Sequence, residues 1–265
     1  MSALLDRLAG NELAGFILVL ARVTPLFVIA PLFSSAMIPP RVQAIIAVGI
    51  SIGLTPLALR GQTIPAAALP LAGLVIEGLL VGFAFAFALA LLIAAVESAG
   101  SLIDILSGFS YGTLINPFSG EQSAAMSRFY SLVGTAIFLV IGGDGWTLRG
   151  LGRTFSLVPL TRAPRLGTLV AGAENAFAMI FTGAVEVAAP VLIALLITDV
   201  AFGVVSRVVP QMNVFAVGFP TKVAVALLVV AASLPFVANW ISSQLSTSVA
   251  AGLGALHVGV IAHGA

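Results

Sequence analysis

Long stretches of this chain carry no charge. Asp, Glu, Lys and Arg are absent from 23–40, 42–59, 78–96, 129–143, 187–198 and 223–265. A helix needs about 20 apolar residues to cross a hydrocarbon core about 30 Å thick, and these runs with their flanks approach that length. Inside hydrocarbon every backbone amide must be satisfied internally, so only helices or a closed barrel can span. Barrel strands alternate apolar and polar residues between closely spaced turns, and these runs do not. The expectation is an all-α integral membrane protein of about six long helices, at 13–33, 41–59, 69–105, 123–141, 174–207 and 214–242.

Composition sharpens the exclusions. Only 8% of the residues are charged and 60% are hydrophobic, whereas a soluble domain carries about 25% charge because water must solvate its surface. Much of the exterior must therefore meet lipid or other apolar protein. A net charge of +1 without a basic run excludes nucleic acid as a partner, since phosphate binding needs clustered cations. The absence of cysteine removes disulfides, thiol catalysis and Cys-ligated metal. Asp6, Arg7 and Glu12 precede the first apolar run, unlike the cationic start of a cleaved signal, so a retained helix is expected. No nucleophile–base set, phosphate loop or dinucleotide fingerprint is present, and His257 and His263 have no carboxylate nearby in sequence. A non-enzymatic chain without cofactor or metal is expected.

The breaks are legible. Pro39 and Pro40 end one helix and open the next, because proline is tolerated at a first helical turn but not in its interior. The most polar stretch, 144–172, holds Arg149, Arg153, Arg162 and Arg165. It divides four helices from a terminal two-helix hairpin, giving segments at 1–145, 146–173 and 174–242, with a weakly structured tail over 243–265. With six crossings the arginine bias leans towards a cytoplasmic N-terminus.

Acidic side chains within apolar runs need a partner or a wet cavity. Glu77, Glu97, Asp104, Glu186 and Asp199 are the candidates. Glu97 and Asp104 are seven apart and share a helix face. A proton relay is one reading of this set; interhelical polar contact is the favoured one. Gly49 and Gly53, and Gly78 and Gly82, form two small-residue pairs at i, i+4 that would allow helices to approach closely. The segment 98–127 is both glycine-rich and apolar, with Gly108, Phe109, Tyr111, Gly112, Leu114, Ile115, Asn116, Pro117 and Phe118. From the residues alone an interfacial loop with aromatic anchors is the preferred reading, and a loop held inside protein the alternative.

The stretch 207–222, RVVPQMNVFAVGFPTK, places two cations and two prolines between long apolar runs. Its Pro210, Gln211, Met212, Asn213, Val214, Phe215, Gly218, Phe219, Pro220 and Lys222 resemble the hairpin signature of the FliR family of type III export-gate subunits. The stretch 20–43, the run INPFSGEQSAAMSRFYSL and the run FLVIGGDG also resemble that family; Trp146 stands where its usual His would follow. The resemblance implies a structural subunit of a flagellar protein-export gate in the bacterial inner membrane, at the basal body. It implies FliP and FliQ as partners, with FlhB and FlhA nearby, and unfolded flagellar proteins as cargo. It further implies a FliP-like N-terminal portion, a FliQ-like hairpin, and a luminal plug over 108–122. Arg207, Pro210, Gln211, Met212, Asn213, Phe215, Gly218, Pro220 and Lys222 would lie at the cytoplasmic mouth, with the cations facing carboxylates of partners. The rival reading is a small secondary transporter or proton channel built on the buried carboxylates.

Overall fold

The computed structural model describes residues 2–35, 38–60, 62–65, 67–110, 125–211 and 213–257. These form α1 (Ser2–Ile29), α2 (Pro40–Ala58), α3 (Ala68–Ser107), α4 (Ala125–Val140), α5 (Gly143–Leu157), α6 (Leu166–Val208) and α7 (Val214–His257). No strand occurs among the described residues. The protein is an all-α integral membrane protein. Gly10–Ile29, Pro40–Ala58, Ala68–Ser107, Leu166–Val208 and Ala216–Gly254 are each long and apolar enough to cross a bilayer, and α4 with α5 makes a sixth if taken as one broken span.

The helix boundaries follow local chemistry. Pro40 occupies the first turn of α2, and the Leu59 amide closes the helix onto the Thr55 carbonyl at 3.0 Å. Gly108 follows α3 with φ of 90°, and Gly142 precedes α5 with φ of 73°. Both angles fall in the left-handed region where a Cβ is penalised, so glycine is what lets the chain leave one helix and start another there.

Two expectations need correction. The arginine-rich stretch is not merely a connector, because it contains α5. That helix buries Thr147, Gly150, Leu151, Thr154 and Phe155, a set at helical spacing that compensates for its several glycines. The tail from 243 is not weakly structured as far as 257, because α7 continues through it and buries Leu245, Ser248 and Val249. Residues 258–265 lie outside the described residues.

The chain clusters into two compact units, each drawn from separated stretches. The first comprises Met1–Leu91, Gly142–Phe177 and Leu245–Ala265; the second comprises Leu92–Ile141 and Ala178–Gln244. In the first, α1 lies beside α2, and α2 meets α5. Leu18, Val19, Val23, Leu26, Phe85, Leu89 and Leu151 form its core. In the second, Val96, Ile103, Tyr130, Phe138, Val187, Leu195, Val237 and Ile241 are buried. Large apolar side chains also face outward: Val140 is 87% exposed, Leu228 72% and Ile45 71%. Only lipid or another apolar chain can cover such faces favourably.

Candidate functional site

In the second unit the 178–208 part of α6 and the 214–244 part of α7 form an antiparallel hairpin, and the signature sequence is its turn. α6 ends at Val208, where the Val209 amide still reaches the Val205 carbonyl at 2.9 Å. Pro210 then stops the helix, having no N–H to offer. Asn213 caps α7: its Oδ1 accepts from the Ala216 amide at 3.2 Å, and its carbonyl accepts from Ala216 and Val217. That is the usual role of Asn at a helix start. Met212 lies outside the described residues. Arg207, Pro210, Gln211, Asn213 and Pro220 are exposed, and Gly218 is buried; Phe215 sits in the first turn of α7. Arg207 occupies the last turn of α6, where a cation meets the negative end of the helix dipole.

Lys222 corrects an expectation. Its ammonium does not wait for a partner chain's carboxylate: it spans both oxygens of Asp199 on α6, at 2.7 Å to Oδ1 and 2.9 Å to Oδ2. The two side chains are 23% and 46% exposed, so Asp199 is not buried as the sequence suggested. Farther along the hairpin, the Trp240 indole N–H donates to Glu186 Oε2 at 2.8 Å. The indole lies over Gly183, where an added Cβ would come within 2.7 Å of the ring. The hairpin is thus tied across its two helices by an ion pair and an aromatic donor.

The glycine-rich apolar loop is pinned at its base. Asp104, 1% exposed near the end of α3, accepts from the Met126 amide at 3.0 Å and the Ser127 amide at 2.9 Å. Those are orphan donors at the start of α4, so a side chain distant in sequence caps that helix. One turn earlier, Gly100 lets α3 touch α4: a Cβ there would lie 2.5 Å from the Met126 carbonyl oxygen. The Ser101 hydroxyl donates to Ser127 Oγ at 3.2 Å beside it. Gly108 is buried and Phe109 half-buried. Tyr111, Gly112, Leu114, Ile115, Asn116, Pro117 and Phe118 lie outside the described residues.

The remaining candidates separate. Glu97 is exposed, so it does not share a buried face with Asp104. Glu77 has one buried carboxylate oxygen with no hydrogen-bond partner among the described residues. Gly78 and Gly82 lie against α1: a Cβ on Gly78 would meet the Leu18 carbonyl at 3.4 Å, and one on Gly82 would collide with the Arg22 carbonyl oxygen. A Cβ on Gly49 or Gly53 would meet nothing within 4 Å, so among the described residues they are not points of close approach. No cluster of metal-ligating side chains occurs among the described residues.

Sequence reasoning passed over Arg22, the largest fully buried side chain among the described residues. Its Nη1 donates to the Thr154 carbonyl at 3.2 Å and the Val158 carbonyl at 2.7 Å, and its guanidinium lies 4.7 Å above the Phe155 ring. The charge is thus held by the carbonyls that end α5, where the helix dipole is negative, and by an aromatic face. The signal in the sequence was a lone arginine within an apolar run, which requires a buried acceptor.

Residues 13–248 match the family described as bacterial export proteins, family 1. The chain is 28% identical over 219 residues to the flagellar biosynthetic protein FliR of Escherichia coli K12, covering 83% of this chain and 84% of the relative. It is 36% identical over 166 residues to the protein of the same name from Bacillus subtilis 168, covering 60% and 63%. It is 29% identical over 157 residues to the surface presentation of antigens protein SpaR of Shigella sonnei, covering 59% and 60%.

Proposed function

The chain belongs to the bacterial export proteins, family 1, and on that premise we propose that it helps form the gate through which unfolded flagellar proteins cross the inner membrane. The FliR and SpaR relatives support a membrane subunit of a type III export apparatus. The observation that carries the gate is the hairpin. Its turn bears the signature 210–222, and its two helices leave Phe181, Ile197, Val200, Val204 and Leu228 exposed. A strip this apolar needs a neighbour or lipid along its length.

On this reading the role is structural rather than enzymatic, and FliP-like and FliQ-like subunits cover the exposed faces. Residues 1–145 are FliP-like and the hairpin 174–242 is FliQ-like. The turn lies at the cytoplasmic mouth near FlhB and FlhA, in the basal body, and the loop 108–122 obstructs the lumen. Asp104 supports the loop assignment, since it fixes the chain where the segment returns to α4. Loss of the chain should leave flagellar structural proteins inside the cell, measured as their absence from the culture medium. Normal secretion from a deletion strain contradicts the gate.

The transporter reading has one observation in its favour, the unpartnered oxygen of Glu77. The other carboxylates weaken it. Asp104 is committed to two amides, Asp199 to Lys222 and Glu186 to Trp240, while Glu97 is exposed. A relay needs acids that can exchange protons in sequence, and a single acid does not make one.

A further inference from the structure

A groove of about 690 Å³ opens in the first unit, where α2 ends and α5 runs past it. Arg60, Arg149 and Arg153 line it together with Leu54, Leu57 and Leu148, and no carboxylate is among its lining residues. Arg149 and Arg153 are four apart on α5, a spacing at which like charges repel along a helix face. Arg149 is held by its own helix: its Nε donates to the Gly145 carbonyl at 3.1 Å and its guanidinium stacks 5.2 Å from the Trp146 ring. Both contacts leave its terminal N–H groups available. Three guanidiniums around one opening suit a bidentate oxyanion.

The apolar surroundings narrow the choice of anion. α2 has 19 residues, about 28 Å at 1.5 Å per residue, close to the hydrocarbon thickness. Arg41 lies near its start and Arg60 just past its end, as cations do at the two interfaces of a span. Leu57, which lines the groove, shares its helix face with Ile46 eleven residues earlier, and the two are 39% and 40% exposed. A cationic mouth opening onto an exposed apolar helix is complementary to an amphiphile. A free acidic peptide would leave that strip uncovered.

We propose that this groove binds the phosphate headgroup of an anionic glycerophospholipid, whose acyl chains lie along the Ile46–Leu57 face of α2. Basic pockets beside membrane helices recognise such headgroups, and each cation near an anionic surface strengthens binding by about fivefold, so three together give roughly a hundredfold.

The test uses the full-length chain in a mild non-ionic detergent, with bound lipid read by native mass spectrometry. Phosphatidylglycerol and phosphatidylcholine are offered in equal amounts. The wild type should favour phosphatidylglycerol by at least about tenfold, within the range those cations allow. The triple variant Arg60→Gln/Arg149→Gln/Arg153→Gln should lose the preference, and the corresponding triple Lys variant should keep most of it. Arg162→Gln/Arg165→Gln, which removes nearby charge from outside the groove, should behave as wild type. Inorganic phosphate, which has no acyl chains, should not displace the lipid. No preference in the wild type overturns the proposal, a result that does not depend on the variants folding. So does equal loss in the control variant, which would indicate bulk charge, or displacement by inorganic phosphate, which would indicate a simple anion site. Displacement by a soluble acidic peptide would identify a protein-binding groove and likewise overturn it.

Discussion

Arg22 on α1 and Val158 just past α5 are joined by a 2.7 Å hydrogen bond from guanidinium to carbonyl, 136 residues apart in sequence. This contact holds the C-terminal end of α5 against α1. Removing the guanidinium leaves the Val158 carbonyl buried without its donor; a charge-assisted bond of this kind is worth about 1.5–3 kcal/mol. Arg22→Met should therefore lower the thermal midpoint in detergent by several degrees, with Arg22→Lys intermediate, because an ammonium cannot both fork between carbonyls and stack on Phe155. An unchanged midpoint for Arg22→Met would show that the contact contributes nothing.

The glycines on α3 should separate from those on α2. Gly82→Ala places a methyl against the Arg22 backbone, and overpacking of this kind costs about 1–3 kcal/mol. Gly53→Ala enters open space and gains up to about 1 kcal/mol of helix propensity. Thermal unfolding of the two variants side by side is the check. Equal behaviour would mean that α1 and α3 do not approach as closely as described.

Asp104 caps α4 with both oxygens. Asp104→Ala should destabilise by about 1–2 kcal/mol, the usual cost of a lost helix cap, and Asp104→Asn by less, since one acceptor remains. Amide hydrogen exchange should rise first at Met126 and Ser127. If exchange there stays slow in Asp104→Ala, the cap is not what protects those amides.

Deleting 108–122 tests the plug. If the segment obstructs a lumen, its removal should leave the assembly intact while the membrane leaks small ions. Retained ion gradients together with normal export would remove the segment from that role.

The charge pair at the turn separates stability from partner contact. A half-exposed ion pair is worth about 0.2–1 kcal/mol, so Lys222→Glu should lower the thermal midpoint only slightly. Charge reversal by Lys222→Glu/Asp199→Lys should restore the midpoint. If motility also returns, the pair acts within the hairpin. If motility stays lost at normal protein level, the charges are read by a neighbour as well. Arg207 has no carboxylate in an ion pair among the described residues, and Arg207→Gln should affect motility only if a neighbour reads that charge.

Helix class and most breaks were legible in the sequence because sparse charges and paired prolines mark them locally. Pro40 opening α2 and the signature turn after Val208 are examples. α5 was hidden because its glycines lower helix propensity, while the carbonyls at its end are held by Arg22, a residue far away in sequence. The same reason explains Asp104, whose spacing from Glu97 suggested a shared buried face. Its partners are amides across a loop, which no periodicity reveals. Gly49 and Gly53 match the small-residue pattern as well as Gly78 and Gly82 do, yet only the latter face another helix of this chain. Spacing does not say which side of a helix meets protein.

The export-gate account is tested most directly by isolating the tagged chain, at its native level, from membranes in a mild detergent and measuring the mass and composition of what accompanies it. The account predicts one stable complex in which this chain is held by two other kinds of small, very apolar subunit, with no transport by the chain alone after reconstitution in liposomes. Recovery of the chain by itself, with ion or solute uptake into those liposomes that is abolished by Glu77→Gln, would contradict it.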